Sequence, residues 1–293
     1  MIEFEKPDRP VVANKRGVVA FVLIAFGVAW LWLWLAVAVF GCSAINPVVQ
    51  LPFAFAPGVA AVIVRRWITR EGFGDAGLRP RLRENRRWYL MAWLAPLALA
   101  AASVAVAVVT GLWWPGSDAT GPDSSPSVLA QIPVLLILVV VLTPIYWGEE
   151  FGWTSYLRPR VYSDRPLKSV LVTGLVWAVW HYPLAFLGYI SFSNVALGLA
   201  IWTFSMLCQE TILAWLYIRS RSIWTASLAH AGNNMILSLL VGQLLATELG
   251  DTVLTALIAV PLSIVAAWIL LTGRLHPAKP RPLTPARDQR QSA

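Results

Sequence analysis

The chain has 293 residues, of which 58% are apolar and 13% charged. Soluble domains carry about 25% charged residues, so an ordinary soluble enzyme is excluded, and so is a disordered chain, which needs low hydrophobicity and high charge. The formal net charge is +8, but the positions of the charges along the chain point to a bilayer, with no role for nucleic acid. Cys42 and Cys208 sit beside or inside apolar runs and are too few for a disulfide framework or a cysteine-based zinc site.

A membrane-crossing helix needs about 20 mostly apolar residues. Eight such runs follow one another, at 17–40, 48–64, 88–110, 128–157, 168–190, 194–218, 222–245 and 250–272. The core of the first, VVAFVLIAFGVAWLWLWLAVAVF, outruns the roughly 7–15 apolar residues of a cleaved signal sequence. The second is short and carries Pro52, Pro57 and Gly58, which are tolerated where neighbouring helices re-satisfy the backbone. All 23 lysines and arginines fall in the N-terminal tail, loop 65–87, loop 158–168, the turn 219–221 and the C-terminal tail. The intervening loops 41–47, 111–127, 191–193 and 246–250 contain none. The positive-inside rule then places both termini in the cytoplasm.

The expected fold is therefore an all-α, polytopic membrane helical bundle of about eight transmembrane helices in the cell membrane. Residues 1–16 form a cytoplasmic tail, 17–272 the transmembrane domain with a catalytic core at 128–245, and 273–293 a cytoplasmic tail expected to be disordered. The eight arginines of loop 65–87 are expected to lie against anionic headgroups; substrate docking is the other reading.

Ionisable groups inside a span cost about 2.5–3.5 kcal/mol each on insertion scales and so need a reason. They are Glu149 and Glu150 in span four, His181 in span five, Glu210 in span six and His230, with Asn233 and Asn234, in span seven. Glu149 lies nine residues before Arg158, Glu210 nine before Arg219, and His230 nine after Arg221, which puts each about 13 Å inward along a continuous helix. His181 and Asn234 come out at roughly 20 Å. Four helices thus bring polar groups into one layer. His230 and Asn234 share a helix face. Glu149 and Glu150 point about 100° apart, so one aims into a shared site and the other needs a separate partner.

A carboxylate and an imidazole in a dry pocket can activate a water, and a histidine with an asparagine offers two donors to a developing oxyanion. This inventory suits hydrolysis of a peptide or other acyl bond. Glu149, His181 and His230 are also a zinc-type ligand set for a divalent metal, although no HExxH spacing is present. Ser155, Ser227 and Ser238 lack a GxSxG elbow. Glu210 reads either as part of the site or as one half of a structural pair. Trp177 and Trp180 either wall the site or only pack.

Three blocks carry a resemblance: GEEFGWTSYLRPRV at 148–161, GLVWAVWHYPL at 174–184 and ILAWLYIRSRSIWTASLAHAGNN at 212–234. They are similar in order and spacing to the EExxxR, FxxxH and HxxxN/B motifs of the CPBP family of intramembrane proteases, which includes the type II CAAX prenyl endopeptidases and their abortive-infection-type relatives. Trp177 stands in the aromatic place of the second motif. The resemblance implies a membrane helical bundle with a site opening to the cytoplasmic side. Glu149 and His181 would activate water, His230 and Asn234 would stabilise the oxyanion, and Glu150 would support them. It also implies a membrane-associated peptide or protein substrate, prenylated in some members. The family is labelled metalloprotease, and a metal-free glutamate mechanism is argued too. The motif arginine falls on Thr154, and Arg158, one turn on, is the nearest replacement cation. Two other readings stand beside the protease: a non-catalytic immunity-type scaffold on the same fold, which Thr154 favours, and a proton-coupled transporter. Against the transporter, the polar residues are confined to spans four to seven.

Overall fold

The computed structural model describes residues 14–114 and 128–276. The two tails up to residue 13 and from residue 277, and the loop at 115–127, lie outside the described residues. Within them the chain is helical and contains no strand. Eight rods follow in order: α1 Lys15–Val39, α2 Pro47–Ile68, α3 Arg86–Val109, α4 Ile132–Arg160, α5 Pro166–His181, α6 Val195–Ser220, α7 Ile223–Leu245 and α8 Leu249–Leu271. All but α5 are long and apolar enough to cross a membrane.

The fifth element corrects the expected span 168–190. Its α-helix stops at His181, and Tyr182–Ala185 forms a single 3-10 turn. The apolar run continues to Ile190, but Pro183 has no N–H with which to continue the helical ladder, and Gly188 turns the chain at φ +80°. At 16 residues, α5 is about 24 Å long, against a hydrocarbon core of about 30 Å.

Two devices hold the rods together. The first is a close glycine contact between α2 and α4. A Cβ on Gly58 would lie 2.7 Å from the carbonyl oxygen of Gly148, and one on Gly152 would lie 2.8 Å from the Pro57 carbonyl carbon. The segment GEEFG at 148–152 therefore acts as a small-xxx-small stripe, the spacing that lets membrane helices approach to backbone contact. The second device is the indole N–H. Trp30 donates to the Trp180 carbonyl at 3.0 Å, Trp32 to that of Val49 at 2.8 Å and Trp93 to that of Leu136 at 2.9 Å. Several tryptophans thus tie helix to helix inside the bundle.

The helix ends sort into two groups. At one end, Asn85 Nδ2 donates to the Ser220 carbonyl at 2.7 Å, the Ile223 N–H to that of Gly77 at 3.0 Å, and Arg219 Nη2 to that of Arg274 at 3.2 Å. This is the arginine-bearing end. At the other, the Ser191 N–H donates to Asp251 Oδ2 at 2.7 Å. The alternation expected from the charges is thus present in the packing.

Loop 65–87 behaves differently from the headgroup-facing expectation at its most important cation. Arg65 is wholly buried, donating to both Asp75 carboxylate oxygens at 2.6 and 3.3 Å and to the carbonyls of Gly72 and Ser155. Arg160, also buried, reaches Asp75 and Glu71 at 2.9 Å each. Asp75 is partly buried, which pushes its carboxyl up, but Arg65 and then Arg160 outweigh that and hold it below the usual carboxylate value. A charge without these partners would not be buried here. The other arginines of the loop are exposed, as expected.

Candidate active site

Glu149 and Glu150 sit on the last regular turns of α4, where the glycine contact fixes that helix against α2. Just beyond them the backbone opens into a π-helical turn at Trp153–Leu157. A second such turn, Asn233–Ser238, interrupts α7 next to His230. Turns of this kind are frequent at functional sites, although two others, Trp34–Val39 and Val64–Ile68, lie away from this one.

The two carboxylates diverge. Glu149 lines a cavity of about 560 Å³ together with Tyr146, Trp177, His181, His230 and Asn234. Trp177 Nε1 donates to Glu149 Oε2 at 2.9 Å, and His181 Nε2 lies 3.9 Å from the same oxygen. Glu150 does not border the cavity. Its Oε1 is 3.0 Å from His230 Nδ1, and its Oε2 accepts from Thr154 Oγ1 at 2.5 Å. Glu150 and His230 are both buried.

Hydrogen-bond roles follow from these partners. His181 Nδ1 lies 3.0 Å from the Trp177 carbonyl, which can only accept. Nδ1 therefore carries the proton, and Nε2 presents a lone pair toward Glu149. Phe53, Trp177, Trp180 and Trp202 surround the His181 ring at centroid distances of 4.7–5.9 Å. Trp177 thus contacts both members of the Glu149–His181 pair, through its indole N–H and its carbonyl. His230 is held in the same way, with Glu150 at Nδ1 and the rings of Tyr146 at 4.9 Å and Trp177 at 5.2 Å. Asn234 borders the cavity and donates to the His230 carbonyl at a long 3.3 Å.

All five residues singled out in the sequence are thus gathered, in two linked pairs with Asn234 alongside. Glu210 stands apart: Arg158 Nη1 donates to its Oε1 at 2.8 Å, and both side chains are buried. This removes Arg158 as a replacement for the missing motif arginine, because its guanidinium faces Glu210 on α6 and its backbone carbonyl accepts from Ser169. The hydroxyl of Thr154 stands at Glu150 instead.

Three contributors went unrecognised in the sequence. Tyr146 is three residues before Glu149 on the same helix face, a spacing that is readable. Thr154 lies four residues after Glu150 and is equally readable as an i, i+4 partner. Tyr189, which borders the cavity, follows a helix end that the apolar run conceals.

A metal would need Glu149, His181 and His230 on one ion. Among the described residues no three His, Cys, Asp or Glu side chains are grouped closely enough to hold one. The direction of the cavity also departs from expectation. The resemblance implies an opening on the arginine-bearing side, whereas the cavity runs from Glu149 to Ile45, Tyr189, Ile190 and Asp251, at the opposite end.

Comparison with known proteins bears on this stretch of the chain. Residues 129–236 match the model of the type II CAAX prenyl endopeptidase Rce1-like family. The match covers 108 of 293 residues, runs from α4 into α7 and contains all five site residues. It agrees with the resemblance carried by the three motifs. No curated protein matches the chain.

Proposed function

We propose that this chain is an intramembrane endopeptidase that hydrolyses a peptide bond of a membrane-associated peptide or protein. The observation that carries the proposal is the Glu149–His181 pair beside a 560 Å³ cavity, with two acceptor atoms 3.9 Å apart. That separation is too long for a direct hydrogen bond and suits one water about 2.8 Å from each. The water donates one hydrogen to Glu149 Oε2 and the other to His181 Nε2. Its oxygen is thereby turned toward a carbonyl carbon in the cavity.

The water oxygen attacks that carbon as its proton passes to Glu149. The carbonyl oxygen becomes an oxyanion, for which His230 Nε2 and the free amide hydrogen of Asn234 are donors. His230 donates there when both ring nitrogens are protonated, and the Glu150 carboxylate at Nδ1 offsets the charge of that ring. Collapse breaks the C–N bond, and Glu149 returns its proton to the leaving amine. The products are a carboxylic acid and an amine, which exchange the remaining proton to become carboxylate and ammonium.

The test is cleavage of a candidate peptide by purified protein in proteoliposomes. Glu149→Gln and His181→Ala should each abolish turnover while the protein stays folded. Retention of wild-type rates by both variants would end the assignment. Rescue of a cellular phenotype by Glu149→Gln would favour the non-catalytic scaffold instead.

A further inference from the structure

We infer that substrate reaches Glu149 from the arginine-free end of the bundle, which the charge distribution places outside the cytoplasm. The inference rests on the protease reading and adds its access route and substrate class.

The first observation is where the cavity lies along each rod. It borders α2 only as far as Ala54, whereas the buried Arg65 is eleven residues further on. On α6 it borders Trp202 to Gln209 and stops short of Arg219. On α7 it begins at His230, beyond Arg221, and on α8 it borders Asp251 to Leu262, well before Arg274. The rods that line it, α2 and α4 to α8, do so with stretches set back from their arginine-bearing ends, and α1 and α3 line none of it.

The second observation is what closes the other end. The loop between α2 and α3 is drawn into the bundle by the Arg65–Asp75–Arg160 cluster. Ala76 is wholly buried, and its carbonyl accepts from Ser155 Oγ at 2.9 Å. The next two carbonyls, of Gly77 and Leu78, accept from the Ile223 N–H and Trp224 Nε1. A Cβ on Gly77 would come within 2.8 Å of the Tyr217 ring. Residues 75–78 therefore form a plug bonded to α4 and α7 and pressed against α6, on the arginine side of the two glutamates. A route through that end would break a buried ion cluster.

The described lysines and arginines lie on the plugged side, and the other six belong in the sequence to the two tails, so the positive-inside rule makes that side cytoplasmic and the cavity mouth extracytoplasmic. The mouth carries no cation in the sequence, and Asp251 at its rim holds the 191 loop through the Ser191 N–H. Its walls include Leu51, Leu142, Trp202, Met206 and Leu254. Such a site takes an apolar stretch of a chain presented on the outer side, a membrane-anchored or exported polypeptide. The C-terminus of a prenylated cytoplasmic protein would meet the plug.

Thiol accessibility tests this without using hydrolysis. Cys42 is exposed at the arginine-free end and Cys208 is buried. With Cys208 replaced by serine, Cys42 reports the outer face. In a background with both cysteines replaced, Asp164→Cys reports the arginine-bearing face, and Leu254→Cys and Ser205→Cys each report the cavity. A membrane-impermeant maleimide is applied to intact cells and to inverted vesicles. The cavity cysteines should label with Cys42 in intact cells, an order of magnitude faster than in inverted vesicles, and Asp164→Cys should show the reverse. Cavity labelling from the Asp164 side, from both sides equally or from neither would overturn the route. Cys42 labelling only in inverted vesicles would overturn the extracytoplasmic assignment. If the labelling pattern holds while purified protein hydrolyses no peptide, the protease reading fails and the access route stands.

Discussion

Replacing Thr154 by valine removes a hydroxyl and little else, because the two side chains have nearly the same shape. In the wild type that hydroxyl donates to Glu150 Oε2 at 2.5 Å, and Glu150 has one other partner, His230 Nδ1 at 3.0 Å. Position 154 has no exposure, so bulk water cannot replace the lost donor. A hydrogen bond to a charged group contributes about 1.5–3 kcal/mol. If Glu150 serves only to hold and neutralise His230 at the oxyanion, that amount appears in the barrier, and a tenfold rate change costs about 1.4 kcal/mol. Turnover by Thr154→Val should therefore fall roughly 10- to 150-fold, with KM little changed. Thr154→Ser, which keeps the donor, should recover most of the rate. The assay is peptide cleavage by purified protein, read beside a thermal unfolding curve. Full activity in the valine variant would refute the reasoning. Equal losses in valine and serine variants would assign the effect to packing of the methyl group and refute it as well.

Two further predictions concern the scaffold. Asp75→Asn should lower stability by about 3–5 kcal/mol, the cost of leaving a buried charge without its partner, here Arg65; a loss under about 1 kcal/mol by chemical or thermal unfolding in detergent would contradict the buried cluster. Because the folded-state value of the Asp75 carboxyl lies below the ordinary 3.8, its stabilisation is complete above that pH and disappears as pH falls through the lowered value. Wild type should thus lose stability below about pH 4 with a component that Asp75→Asn lacks. Gly152→Ala should separate α2 from α4, since its new methyl meets the Pro57 backbone; a loss of about 1–3 kcal/mol is expected for such overpacking, with reduced turnover because Glu149 rides on the same contact. Unchanged melting would show that the two helices are free to shift.

Much of the bundle was legible because hydropathy and charge alternate without exception along the chain, and buried side chains at matched depth marked the site before any packing was known. What escaped is instructive in particular residues. The end of α5 was hidden because Tyr182 to Ile190 is apolar whether helical or not, and only Pro183 and Gly188 signal the break. Arg65 could not be told from its exposed neighbours, since its burial depends on Asp75 ten residues away and on Ser155 ninety residues away. The division of labour between Glu149 and Glu150 was foreseen from the 100° step, but their partners required the crossing of α4 with α5 and α7. The direction of the cavity is a property of several rods packed together, and no single stretch encodes it.

The brevity of α5 has a consequence for the surrounding lipid. A rod of about 24 Å leaves about 6 Å of hydrocarbon unmatched on the side where it ends, and the acyl chains beside it must shorten or yield to the segment at 182–194. Each ångström of such mismatch costs fractions of a kcal/mol, so thicker bilayers resist the arrangement and thinner ones favour it. Acyl length in the host membrane is thereby expected to bias how readily solvent gets to His181, which turnover in proteoliposomes of graded chain length would test.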